Sequence, residues 1–253
     1  MKTDIDDVNK ILGDIKSKPE KPLAAKAYGS IPHLPGSRRG PADKGISEQQ
    51  AAICLTKARD DKDLVIVQEK LDGSCCAAAN VGGKIVALQR NGYLATASPF
   101  EQHHMFARWV ERNEKHFAHV LNDGEWCVGE WLAQAHGTRY ALGFHAIPFI
   151  IFDIMRGPER VTFSELSLRL RGARFDTPHL LSHGGPCSIE HAMALLGDYG
   201  NHGALDMAEG AVWRVEREGK VDFLAKYVRP GKVDGCLLPE RNGGEAVWNW
   251  REP

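Results

Sequence analysis

The chain has 253 residues, of which 43% are hydrophobic, 26% charged and 8% aromatic, a make-up that excludes a disordered or fibrous protein. Its formal net charge is -1, its pI about 6.8 and its mean hydropathy -0.34, so no global field draws it to nucleic acid and any such contact needs a local basic surface. No apolar run approaches the roughly 18 residues of a membrane span, which excludes a membrane-embedded role.

Residues 1–16, MKTDIDDVNKILGDIK, alternate acidic and apolar positions and lack the basic-then-apolar layout of a secretion signal, so a short amphipathic helix is expected there. Residues 28–45 are dense in Gly and Pro and read as a loop. Ser47 with Gln50 forms a capping box that opens a helix over 48–59. From 64 to 94 the pattern becomes three short strands, LVIVQEKL, CCAAANV and KIVALQR. They are separated by Asp72-Gly73, Gly82-Gly83 and Asn91-Gly92, and predict an antiparallel meander. Residues 101–121 return to helical spacing, strands are expected at 126–132 and 149–154, and Thr162 with Glu165 marks a second capping box for a helix ending near Gly172. Ser188 caps a helix that stops at Gly197. A closing hairpin joins 210–217 to 221–228 through Glu218-Gly219-Lys220. Strands cluster without strict βαβ alternation, so the fold class is α+β with mainly antiparallel sheets flanked by helices.

The six cysteines form no CxxC pair, and Cys75 and Cys76 are adjacent, so free thiols in a reducing cytoplasm are expected. His103, His104, His116 and His119 have spacings unsuited to a metal site and read as helix-surface or partly buried residues.

The most informative peptide is Glu69-Lys70-Leu71-Asp72-Gly73-Ser74, a lysine at the end of an apolar strand followed by a tight turn. In isolation it is a solvated strand end. Its sharper reading is a nucleophilic lysine, with Gly73 letting the backbone approach a ligand. An ordinary lysine, with a pKa of about 10.4, is protonated at neutral pH, so the amine needs cations nearby, while Glu69 and Asp72 would oppose its activation. Downstream come Gln89-Arg90-Asn91-Gly92, Val128-Gly129-Glu130-Trp131, Phe149-Ile150-Ile151-Phe152-Asp153, Glu209-Gly210-Ala211-Val212 and Leu224-Ala225-Lys226-Tyr227.

In this order and spacing the series resembles the covalent nucleotidyltransferase superfamily of polynucleotide ligases and mRNA capping enzymes, over residues 69–230. The resemblance implies that Lys70 attacks the α-phosphorus of ATP and carries AMP as a phosphoramidate. It further implies that Glu69, Asp72 and Gly73 belong to the nucleotide site. Arg90 would orient a ribose or a 5′ phosphate, Glu130 would accept from a ribose hydroxyl, and Phe152 would stack on adenine. Glu209 would place a divalent cation, Mg²⁺ with Mn²⁺ as a substitute, and Lys226 would neutralise the phosphate. Each has a plainer alternative: Arg90 as a hairpin arm, Glu130 as a solvated strand residue, Phe152 as core with Phe149 equally visible. Lys226 departs from the paired-lysine pattern because Leu224 and Val228 fill the second positions, leaving Arg229 or Lys232 to supply the missing charge.

Only residues 227–253 follow Lys226, too few for the five-stranded OB-fold that DNA ligases and capping enzymes append. The chain therefore looks more like an ATP-dependent RNA ligase of the superfamily. Residues 1–253 are expected to form a single nucleotidyltransferase domain, with 1–68 as an N-terminal extension, 69–230 as the core and 231–253 as a tail packed back on it; a substrate-contacting role for the tail is the alternative. The loop Tyr28–Gly40 resembles a segment of bacterial and phage RNA-ligase-like proteins. It presents His33, Ser37, Arg38 and Arg39, which, with Arg229, are candidates to meet a substrate phosphate; an ordered surface loop is the alternative. The expected partner is RNA, as nicked or single-stranded ends, with a protein partner adding nucleic-acid contacts. The rivals are a minimal DNA ligase and a catalytically inactive RNA-binding module.

Overall fold

The computed structural model of the protein describes residues 21–143 and 146–252; the helix expected at 1–16 lies outside the described residues. Helix α1 spans Glu48–Leu55, and Ser47 and Gln50 close the reciprocal capping box read from the sequence. Nine strands follow: β1 (Asp63–Lys70), β2 (Ser74–Val81), β3 (Lys84–Gln89), β4 (Glu125–Trp131), β5 (Phe149–Arg156), β6 (Glu159–Arg160), β7 (Leu180–Gly184), β8 (Gly210–Arg217) and β9 (Lys220–Val228). Helices α2 (Glu101–Arg112), α3 (Glu114–Val120), α4 (Phe163–Leu170), α5 (Ile189–Leu196) and α6 (Pro239–Asn242) lie between or after them. The single helix expected over 101–121 is broken at Asn113, whose side chain donates to Trp109 O. At α4 only half of the expected box forms: Thr162 accepts from Glu165 N, while the Glu165 carboxylate turns to Arg156 and Arg169.

The strands make two antiparallel sheets, one ordered β7-β1-β8-β9 and the other β3-β2-β4-β5-β6. This corrects the expected meander. β1 pairs with β7 and β8, whereas β2 pairs with β3 and β4, so Leu71-Asp72-Gly73 carries the chain from one sheet to the other. The closing hairpin forms as expected, and both Glu218 and Gly219 take positive φ, the turn geometry that matches strand twist.

Alternation along the first sheet sorts its residues by face. Val65, Val67, Trp213, Val215 and Ala225 pack under α1 and α5. Gln68, Lys70, Val212, Arg214, Leu224 and Lys226 point the other way, into a cleft. In the second sheet Cys76, Ala78, Phe149 and Ile151 join Phe106, Trp109 and Phe117 in the larger core. Its other face, with Ala77, Ala79 and Val128, meets Ala27 and Tyr28. The tail packs back on the fold, Trp250 lying 5.8 Å from Trp131 between ring centres. Residues 229–252 hold one short helix and close no barrel. Among the described residues no helix is long and apolar enough to cross a membrane.

Candidate active site

Between the sheets lies a cavity of about 750 Å³ with Lys70 on its wall. Lys70 is the last residue of β1, at the crossover, so its side chain is held by a strand while the next three residues form the floor. Its Nζ donates to Glu209 Oε2 at 2.7 Å and to Leu71 O at 3.3 Å. Burial pulls the ammonium's pKa down, but Glu209 and Glu130 outweigh it and hold the group above the ordinary lysine range. Burial pushes the Glu130 carboxyl up to about 7 against the pull of Lys70, and raises Glu209 likewise. Lys226 is lowered, by burial and then by Lys70. The site is therefore a buried cluster of two cations and two carboxylates whose charges depend on one another.

The turn after Lys70 is fixed on every side. Gly73 N donates to Glu130 Oε1 at 3.0 Å, and a Cβ at Gly73 would meet Trp131 O at 2.5 Å, so the crossover passes where only glycine fits. Asp72 N donates to Tyr140 Oη at 3.0 Å, and Asp72 Oδ2 accepts from Thr138 Oγ1 at 2.9 Å with Lys232 Nζ at 3.3 Å.

Phe152 reaches the cavity through a β-bulge. The β4–β5 register steps from Val128–Asp153 to Gly129–Ile151, leaving Phe152 as the extra residue, and such a bulge re-aims its side chain. Phe149, the alternative by composition, is fully buried against Phe106. Arg90 stands at the rim, its Nη2 donating to Gly29 O at 2.9 Å and Ser30 Oγ at 3.1 Å.

The structure brings together Lys70, Asp72, Gly73, Arg90, Glu130, Phe152, Glu209 and Lys226 on one cavity. The other residues singled out in the sequence are placed differently. Glu69 also lines the cavity, but strand alternation turns its side chain away from that of Lys70, and its carboxylate accepts from Asn201 N at 3.1 Å and lies 2.9 Å from His202 Nδ1. His33, Ser37, Arg38 and Arg229 do not line the cavity. His33 and Ser37 are buried and bond each other at 2.7 Å, and Ser37 Oγ accepts from Val228 N at 2.9 Å. Their segment is an added edge on β9, with Leu34 N donating to Lys226 O and Lys226 N to Pro32 O. Arg38 pairs with Asp234 at 3.0 Å, and Arg229 donates to Gly197 O at 2.5 Å. Lys232 is spent on Asp72 rather than replacing a second lysine beside Lys226.

Sequence reasoning missed Arg214, which lies across from Leu224 and reaches the cavity. Its guanidinium pairs with fully buried Asp153 and donates to Phe152 O at 3.2 Å, while Tyr28 Oη also donates to Asp153. An arginine at the inward-facing position two after Val212 is the signal that could have found it. His103 was missed as a cavity residue; Ser74 Oγ lies 2.9 Å from its Nε2, and burial followed by His136 depresses its pKa to about 4.

Among the described residues no three His, Cys, Asp or Glu side chains form a metal cage. The donor set, Glu209 with Glu130, suits instead a hard cation that takes one or two carboxylates and completes its shell with phosphates and water, as Mg²⁺ does.

A lysine between two sheets, facing a carboxylate and an aromatic ring turned inward by a bulge, places the chain in the covalent nucleotidyltransferase superfamily. Within it, the chain belongs to the RNA ligase family, whose model matches residues 63–228. No curated protein sequence matches it. Among solved structures it is similar to a variant of Naegleria gruberi RNA ligase with ATP and Mn, at a TM-score of 0.51 and 17% identity over 87% of this chain and 64% of that one. A second variant of the same ligase, also with ATP and Mn, gives a TM-score of 0.50 and 18% identity over 88% and 65%. These matches show a shared fold, and the chain spans less than two thirds of the length of those proteins.

Proposed function

We propose that the protein is an ATP-dependent RNA ligase that joins RNA 3′-hydroxyl and 5′-phosphate ends through a lysyl-AMP intermediate. The observation that carries this reading is Lys70 Nζ, held 2.7 Å from Glu209 in a cavity whose walls also supply Phe152, Glu130, Arg90 and Lys226. In the first step Lys70 loses a proton, for which Glu209 Oε2 is the carboxylate acceptor in reach. The freed Nζ lone pair then forms a bond to the α-phosphorus of ATP as the bond to the bridging oxygen breaks, and pyrophosphate leaves with that electron pair. The nitrogen sheds its second proton to solvent. Phe152 and Val212 offer apolar faces for adenine, and Lys226 stands ready for charge on the phosphate. Glu209 and Glu130 would hold Mg²⁺ or Mn²⁺, which neutralises phosphate charge when bound. Two transfers follow. An RNA 5′ phosphate takes AMP from Lys70, and a 3′ hydroxyl then attacks that phosphate and releases AMP.

The cavity needs both sheets, which supports reading the described chain as one nucleotidyltransferase domain. Six unpaired cysteines fit a cytoplasmic setting. The test is incubation with α-labelled ATP, GTP or NAD followed by a denaturing gel. Label should come from ATP and vanish in Lys70→Met; an unlabelled wild type, or label that survives the substitution, would sink the reading. Sealing of nicked RNA, nicked DNA and single strands then separates an RNA from a DNA ligase.

A further inference from the structure

Four residues of the tail, Asp234, Gly235, Leu238 and Arg241, line the cavity as one wall. That wall is pinned. Lys232 Nζ is buried and donates to Thr138 Oγ1, to Gly137 O at 3.1 Å and to Met207 O at 3.1 Å, beside Asp72. Leu237 N donates to His136 O at 2.7 Å, and a Cβ on Gly137 would meet both Asp72 Oδ2 and Val233 O at 2.8 Å. The segment after β9 is thus clamped against the turn that carries Lys70. It presents Arg241, whose guanidinium makes no ion pair among the described residues, near Asp234, which pairs with Arg38 at 3.0 Å.

Strand register gives the cavity a direction. Arg214, which holds Phe152 O, lies opposite Leu224 and Ile66. Val212 lies opposite Gln68 and Lys226, and Gly210 opposite Lys70. Asp72 comes next, against His136, Gly137 and the tail. At about 3.3 Å per residue, Gln68 and Lys70 lie roughly 7 Å apart along β1, about the separation of a base from its α-phosphate, and the turn at Asp72 continues toward the tail. With the base at the Phe152 and Val212 end and the α-phosphorus at Lys70, the groups beyond that phosphorus point at the tail. Displacement at phosphorus is in-line, so the group that leaves when Lys70 attacks and the group that enters when Lys70 departs share one position.

Building on the ligase reading above, we propose that Arg241 binds the phosphate joined by an anhydride bond to the α-phosphorus: the β-phosphate of ATP in the first step and the RNA 5′ phosphate afterwards. The tail thereby completes the nucleotide site of this chain, with Lys232 as the residue that positions it.

Calorimetric titration with α,β-methylene-ATP and, separately, with AMP tests this on the full chain. In Arg241→Ala the analogue should bind at least tenfold more weakly while AMP affinity stays within twofold, and Arg241→Lys should recover part of the loss. Equal weakening of both ligands, or no change in either, overturns the proposal. Sealing of chemically pre-adenylylated RNA assigns the source: a slowed Arg241→Ala places the RNA phosphate at the arginine, and an unchanged rate confines it to the ATP phosphate. If the wild type binds the analogue but takes no label from ATP, the ligase reading falls while the comparison of analogue with AMP still decides the role of Arg241.

Discussion

Replacing Asp153 with asparagine perturbs the charge that joins the two sheets beneath Phe152. The Asp153 carboxylate is fully buried and takes Tyr28 Oη, Arg160 Nε at 3.2 Å and Arg214 Nη2. The amide keeps the shape but removes the negative charge, leaving an Arg214 side chain that is 3% exposed with two carbonyls and Glu216 at 3.5 Å. Removing one partner of a buried ion pair costs about 3–5 kcal/mol, because the other charge is stranded. Glu216 offsets part of this, so about 3 kcal/mol is expected, a large share of the roughly 5–15 kcal/mol that holds a domain together. Urea unfolding should show a midpoint lower by about 1 M or more at an unchanged slope. Asp153→Asn/Arg214→Met should be more stable than Asp153→Asn alone, since the stranded charge is gone. A loss below about 1 kcal/mol, or single effects that add within about 0.5 kcal/mol in the double variant, would refute the account.

Phe152→Ala should weaken AMP binding by about 10- to 100-fold, as expected for a lost base stack of about 1–3 kcal/mol. Phe149→Ala should instead cost about 3–5 kcal/mol of stability; titration and unfolding of both variants check the assignment, and the reverse pattern would exchange their roles. Gly73→Ala should abolish lysyl-AMP formation on the gel assay, since its Cβ would fall 2.5 Å from a backbone oxygen, and a variant that labels normally would show that the crossover yields. His103, with a folded pKa of about 4 against roughly 6.5 when unfolded, binds fewer protons folded than unfolded. Its contribution is present above pH 6.5 and is lost as pH falls through 4, a change on the order of 2–3 kcal/mol. Unfolding at pH 7 and pH 4 should differ less in His103→Gln than in wild type, and equal differences would count against it.

The strands were legible because each carries its own local signal: apolar runs such as LVIVQEKL, ended by turn dipeptides. Their partners were not. Asp72-Gly73 looks like any hairpin turn, and only the pairing of β1 with residues 180–184 and 210–217 makes it a crossover. β7 was missed because LLSHG is short, holds no fully buried residue and does not alternate. The clustering of Lys70, Glu130, Phe152 and Glu209 followed from motif order, which fixes the residues without their geometry. A histidine and a serine in a glycine-rich loop look like phosphate ligands from sequence, but backbone hydrogen bonds lay that loop along β9, where Ser37 Oγ is bonded to His33 Nδ1 and to Val228 N. Glu69, next to an inward Lys70 in a strand, turns its carboxylate outward by parity, to Asn201 and His202.

The same parity explains why the site sits at a seam. Lys70 and Lys226 belong to one sheet, Glu130 and Phe152 to the other, so their separation is set by how the sheets are joined. Two braces do this. At one end Leu71-Asp72-Gly73 is covalent and is locked by Glu130, Tyr140 and Thr138; at the other Arg214 crosses from β8 to Asp153 and the Phe152 carbonyl. A displacement of about 1 Å between nucleophile and substrate can cost 100-fold in rate, so a cleft braced at only one end could bind a nucleotide and still misplace its phosphorus. The burial of the Arg214–Asp153 pair, expensive by itself, is accounted for by that need: it holds Phe152, on one sheet, at a fixed distance from Lys70, on the other.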